Sequence, residues 1–121
     1  MRFSAAAPQI PAARRWVVRR AEAAGADPDV VRVVALLTTE AVTNAVMHGP
    51  PGGTVEVQAS VVGGGVFRVE VTDGSTARPV LRDVPTHALS GRGVMLIDRL
   101  SAAWGVDARD DSKTVWFDVA I

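Results

Sequence analysis

Residues 27–73 read DPDVVRVVALLTTEAVTNAVMHGPPGGTVEVQASVVGGGVFRVEVTD, and the changes of pattern inside this stretch decide the fold. Asp27 followed by Pro28 is a helix start. An aspartate side chain accepts from amide groups of the first turn, and proline fits the first helical position, where its missing N–H would have had no partner. Val30, Val33, Val34, Leu37, Ala41 and Ala45 then recur at helical spacing, which predicts a helix from Pro28 to about His48. Gly49 and the run Pro50-Pro51-Gly52-Gly53 stop it. Beyond the stop the period drops to two. Val55, Val57, Ala59 and Val61 alternate with Glu56, Gln58 and Ser60, and Phe67, Val69 and Val71 alternate with Arg68 and Glu70. Two strands, 54–62 and 66–72, follow from this, joined as a hairpin by Gly63-Gly64-Gly65.

Working outward, Arg2 to Ala6 suits a short edge strand or an ordered terminus. Pro11 suits the first turn of a helix that runs to about Ala24 and stops at Gly25, with Trp16, Val17, Ala21 and Ala24 toward the core. Downstream of Asp73, residues 74–91 show no period, and aperiodic loops of that length inside a small domain often serve as binding lids. A third helix is expected over 92–103, with Leu96, Ile97, Leu100 and Ala103 on one side. Two further strands, 104–109 and 114–121, turn at Asp110 to Lys113. Helices and hairpins segregate along the chain instead of alternating. That pattern argues for an α+β fold, a two-layer sandwich, and against a doubly wound parallel sheet.

A chain of 121 residues is of single-domain size, so 1–121 is read as one domain. Thirteen basic residues balance thirteen acidic ones, which removes the basic excess that a general grip on nucleic acid requires. The absence of cysteine removes disulfides and thiolate metal sites and fits a reducing compartment. Two histidines give a zinc site too few ligands. No run reaches the length of a membrane span and Met1-Arg2-Phe3 does not open a secretory signal, so a cytoplasmic location is expected.

The chemistry concentrates in Thr39-Glu40-Ala41-Val42-Thr43-Asn44-Ala45-Val46-Met47-His48. Glu40 and Asn44 are four apart and leave one helical face as neighbours. A carboxylate can take a proton from an attacking hydroxyl, and a carboxamide oxygen is a hard ligand suited to Mg²⁺. A solvated Glu/Asn pair on the wet side of a core helix would show the same spacing. Asp73-Gly74-Ser75 closes the second hairpin strand, where an Asp-Gly pair also serves as a turn. Ser90-Gly91-Arg92-Gly93 precedes the third helix. Glycines there let backbone N–H groups approach a phosphate, although a flexible helix entry has the same composition.

The run Glu40-Ala-Val-Thr-Asn44-Ala-Val-Met-His48-Gly49 resembles the N-box of the anti-sigma-factor serine kinases, within the GHKL (histidine-kinase-like) ATPases. The resemblance implies a Bergerat-type fold: a mixed, mostly antiparallel sheet with three helices on one face. It further implies bound ATP and Mg²⁺, with Asn44 coordinating the metal and Glu40 as general base. Asp73 would accept from the adenine amino group, while Gly91, Arg92 and Gly93 would meet the phosphates as the glycine box closing a lid. Thr114, in a Lys113-Thr114 pair where the family has Gly-Thr, would lie by the adenine. Ser75 and Ala77 stand at two of the family's glycine positions.

The function so implied is an ATP-dependent serine/threonine protein kinase acting on an antagonist of an anti-sigma factor. Its partners would be a sigma factor and/or that antagonist, with no direct contact to nucleic acid or membrane, and a homodimer is compatible with it. The rival is a non-catalytic, ATP-gated module that sequesters a protein partner. The substitutions at Ser75, Ala77 and Lys113 favour the rival and the intact Glu40 favours the kinase.

Overall fold

A computed structural model describes residues 1–74 and 91–121 of the chain. Its organising element is a 21-residue helix, α2, at Pro28–His48, with the bounds the sequence predicts. Asp27 caps it, its Oδ1 accepting from the Val30 N–H at 3.0 Å, with Pro28 in the first turn. Ahead of it run a strand, β1, at Arg2–Ser4 and a helix, α1, at Gln9–Ala23. Pro11 lies in the first turn of α1, as expected; the helix starts at Gln9, where the Gln9 and Ile10 N–H groups already bond to the carbonyls of Ala6 and Ala7. It ends where Gly25 takes φ 93°, a conformation most side chains avoid.

After α2 come β2 at Thr54–Val61 and β3 at Val66–Asp73, joined through three glycines that all have positive φ. α3 at Gly91–Leu100, β4 at Ala103–Ala108 and β5 at Lys113–Ala120 complete the described elements. Here two expectations need correcting. α3 stops at Leu100, and Ala103 belongs to β4: the Ala102 N–H already bonds to the Asp118 carbonyl at 2.7 Å, so the chain has joined the sheet. Leu100, expected inward, is 40% exposed.

The five strands order β1-β2-β3-β5-β4, and every ladder among the described residues is antiparallel, in line with the mostly antiparallel sheet expected. Strand alternation assigns the faces. Val69 opposes Phe117 and Val71 opposes Val115, and these with Val55, Val57 and Phe67 form one side of the core. Ala13, Val17 and Ala21 of α1, Val34, Leu37, Ala41, Val42 and Ala45 of α2, and Ile97 of α3 form the other. The result is one helical layer on one sheet.

By length and mean hydropathy α2 passes for a membrane span. Its apolar face is the centre of this core, packed on α1, on three strands and on α3, which accounts for the hydropathy without a bilayer. The outer face of the sheet carries Arg68, Glu70, Thr72, Thr114, Trp116 and Asp118. There Arg68 forks onto Asp118 at 2.7 and 2.9 Å, which raises the Arg68 pKa, and its guanidinium lies 4.5 Å over the Trp116 ring. Trp116 in turn covers Gly105, where a Cβ would come within 2.8 Å of the indole.

Candidate functional site

α1 and the candidate site use opposite flanks of α2. Thr39 faces α1, taking a hydrogen bond from Arg14 at 3.3 Å. Asn44, five residues on, points about 140° further round the helix. Glu40 and Asn44 thus share the flank that α1 leaves alone, beside the inward-facing Leu37 and Ala41. They are not on a wet face: Glu40 is 6% exposed and Asn44 5%. Burial of a carboxylate and a carboxamide costs free energy unless each finds partners, so two such groups at one helical spacing mark a site more strongly than the spacing alone. Among the described residues the Asn44 side chain makes no hydrogen bond, which leaves its amide oxygen for a ligand.

Asp73 ends β3 on the core-facing side of the sheet and is 3% exposed. What brings it to α2 is Gly49. That residue sits just past the helix end, its N–H bonded to the Ala45 carbonyl at 3.1 Å. A Cβ at Gly49 would lie 2.6 Å from the Ala45 oxygen and 3.4 Å from the Asp73 Cβ. The last residue of the N-box-like run is therefore the point where α2 rests on Asp73, and Asn44 stands little more than one turn back.

Of the two residues opening β5, the structure brings Lys113 to Asp73 and sends Thr114 away. Asp73 and Lys113 are register partners, and Lys113 Nζ lies 3.7 Å from Asp73 Oδ2, both side chains nearly inaccessible. Thr114 points to the outer face, where its Oγ1 and that of Thr72 share a hydrogen bond at 2.7 Å. The sequence contained the signal. Val115, Phe117 and Val119 face the core, and counting back by two reaches 113, not 114.

Gly91 opens α3, Arg92 follows in its first turn and Gly93 is buried. α3 packs against α2, with Ile97 fully buried between the layers. Ser75, Ala77 and the expected lid as far as Ser90 lie outside the described residues. Two of the α1 arginines reach the scaffold: Arg14 donates to Thr39, and Arg20 donates to the Ala59 carbonyl at 3.0 Å and lies over Trp16.

Glu40 and Asn44 are thus buried on a core helix and Asp73 is buried at the facing strand end, and sequence comparison gives the family. Residues 3–119 match the model of the histidine kinase-like ATPase domain, and the chain belongs to that family. An uncharacterized protein of Streptomyces coelicolor is 37% identical over 79 residues, which span 64% of this chain and 75% of that protein. Among solved structures, the blue-light activated histidine kinase of Erythrobacter litoralis superposes with a TM-score of 0.65 at 23% identity, over 88% of this chain. The chain spans 39% of that kinase, and 60% of its separately solved histidine kinase domain. A mycobacterial sensor histidine kinase, MprB, superposes over 99% of this chain and 97% of its own at a TM-score of 0.60 and 16% identity. These likenesses support the α+β GHKL fold.

Proposed function

We propose that this domain binds Mg-ATP in the cytoplasm and transfers the γ-phosphoryl group to a serine or threonine of a partner protein, an antagonist of an anti-sigma factor. One observation carries the reading: the buried Glu40/Asn44 pair stands on the helix whose end rests on Asp73. Asn44 presents a hard oxygen, and Mg²⁺ held there would neutralise charge on phosphate oxygens. Asp73 accepts from the adenine amino group. Glu40 takes the proton of the attacking hydroxyl, and its burial keeps water from competing for that proton. The glycines at 91 and 93 would let backbone N–H groups approach a phosphate at the start of α3. Phosphoryl transfer asks chiefly for positioning and charge stabilisation, so a domain of this size suffices.

The test has two parts. Calorimetric titration should show Mg-ATP binding that Asn44→Ala weakens at least tenfold while the circular dichroism spectrum is unchanged; equal affinity would remove Asn44 from the site. With the cognate antagonist and labelled ATP, Glu40→Gln should bind nucleotide normally yet transfer phosphate about a hundredfold more slowly. A wild-type protein that binds both ATP and antagonist but transfers nothing would instead be the ATP-gated sequestering module, for which the lysine at position 113 speaks.

A further inference from the structure

Lysine is rarely buried, and when it is, an anionic partner is the rule. Lys113 is 4% exposed and meets Asp73, itself 3% exposed, at 3.7 Å. The pair lies at the open end of the β3–β5 ladder, on the helix-facing side, under the end of α2. Its spacing exceeds a direct hydrogen bond, so neither group exhausts its capacity on the other. An ammonium carries three donors, so Lys113 has hydrogen-bonding capacity beyond its contact with Asp73. Together they set an acceptor and a donor side by side at one strand end.

We propose that Lys113 is a second base-reading residue, donating to a ring nitrogen of adenine while Asp73 accepts from the exocyclic amine. The inference rests on the nucleotide-binding reading of the site. Adenine carries a donor, the N6 amine, flanked by two acceptors, N1 and N7, and an Asp/Lys pair complements either edge. Guanine in the same pose puts its O6 acceptor against the carboxylate and, on the N1 side, a second donor against the ammonium. Lys113 therefore adds selectivity that a side chain without a donor at its position could not supply. It also explains why the cation is tolerated in so dry a place: Asp73 balances it before the base arrives.

The experiment varies the ligand first, so that no substitution can unfold the protein. Calorimetric titration of the wild-type chain with Mg²⁺ and ATP, 1-deaza-ATP, 7-deaza-ATP or GTP compares four affinities. One deaza analogue should bind about tenfold or more weakly than ATP, the loss typical of a hydrogen bond to a charged group, and should name the ring nitrogen that is read. In Lys113→Met and Lys113→Leu, that analogue and ATP should bind alike, because the donor that distinguished them is gone. If ATP binds and both deaza analogues bind equally well to the wild type, Lys113 does not read the base and only this proposal falls. If ATP does not bind at all, the nucleotide reading falls with it.

Discussion

Asn44, Glu40 and Asp73 owe their character to burial as much as to identity, and two other residues, one on α2 and one just past its end, can be weighed in the same way. Thr38 is fully buried with no partner for its hydroxyl, while its neighbour Thr39 bonds back to the Ala35 carbonyl at 2.8 Å. A buried hydroxyl without a partner costs about 1–3 kcal/mol. Thr38→Val keeps the shape and removes that cost, and should raise the stability measured by urea unfolding by about 1 kcal/mol; a loss would mean the hydroxyl is satisfied in solution. Gly49 presents the opposite case. Gly49→Ala would drive a methyl into the backbone carbonyl of Ala45, which cannot rotate aside. An overpacked contact of this kind costs about 1–3 kcal/mol. The relaxation should also displace Asp73, so nucleotide affinity and the urea midpoint should fall together.

At the scale of elements, α2 was legible to the residue because its signals are local: an Asp-Pro start, a helical stripe and a Gly-Pro-Pro stop. Asp27→Ala should therefore cost about 1 kcal/mol through loss of the bond to the Val30 N–H, seen as a lower denaturation midpoint with the fold intact. The hairpin was legible for the same reason, since a two-residue period interrupted by three glycines has few other readings. The end of α3 was not. Its apolar residues continue in helical phase to Ala103, and only a carbonyl of β5 captures the Ala102 N–H and turns the chain into the sheet. That is a tertiary contact no window of sequence contains. The side on which Thr114 lies was missed for another reason. Matching the family's Gly-Thr pair to Lys113-Thr114 put attention on Thr114, whereas strand parity, available from Val115 and Phe117, points to its neighbour. Glu40 and Asn44 were singled out by their motif, whose spacing suits a solvated pair equally; that both are buried is a tertiary fact their spacing does not contain.

For the molecule as a whole, the helix that carries the candidate site is also the centre of the core. Ligand affinity and global stability are therefore linked, because unfolding α2 dismantles both. Mg-ATP at about a hundredfold above its Kd should add about 2.7 kcal/mol to the unfolding free energy, several degrees in Tm for a chain of this size. A thermal scan with and without nucleotide checks this, and an unmoved Tm at saturating Mg-ATP would contradict binding to the native state. The outer face of the sheet should not take part. Its Arg68–Asp118–Trp116 stack lies across the sheet from Asp73, so Arg68→Ala should leave nucleotide affinity unchanged even where it lowers stability.

The pairing of β5 with β3 has a consequence for how such a pocket diversifies by descent. Val115, Phe117 and Val119 anchor β5 to the core, so a codon gained or lost in the 109–112 turn is absorbed as slack, and the anchored strand does not slip. Position 113 is thereby insulated from changes in turn length, and its side chain faces Asp73 on the helix side of the sheet. On the proposed reading of Lys113, duplicated copies of this gene would exchange the residue there and acquire new ligand preferences while inheriting an intact scaffold. When sister sequences are compared, the informative column is the one two places before the first anchored valine, however long the turn that precedes it.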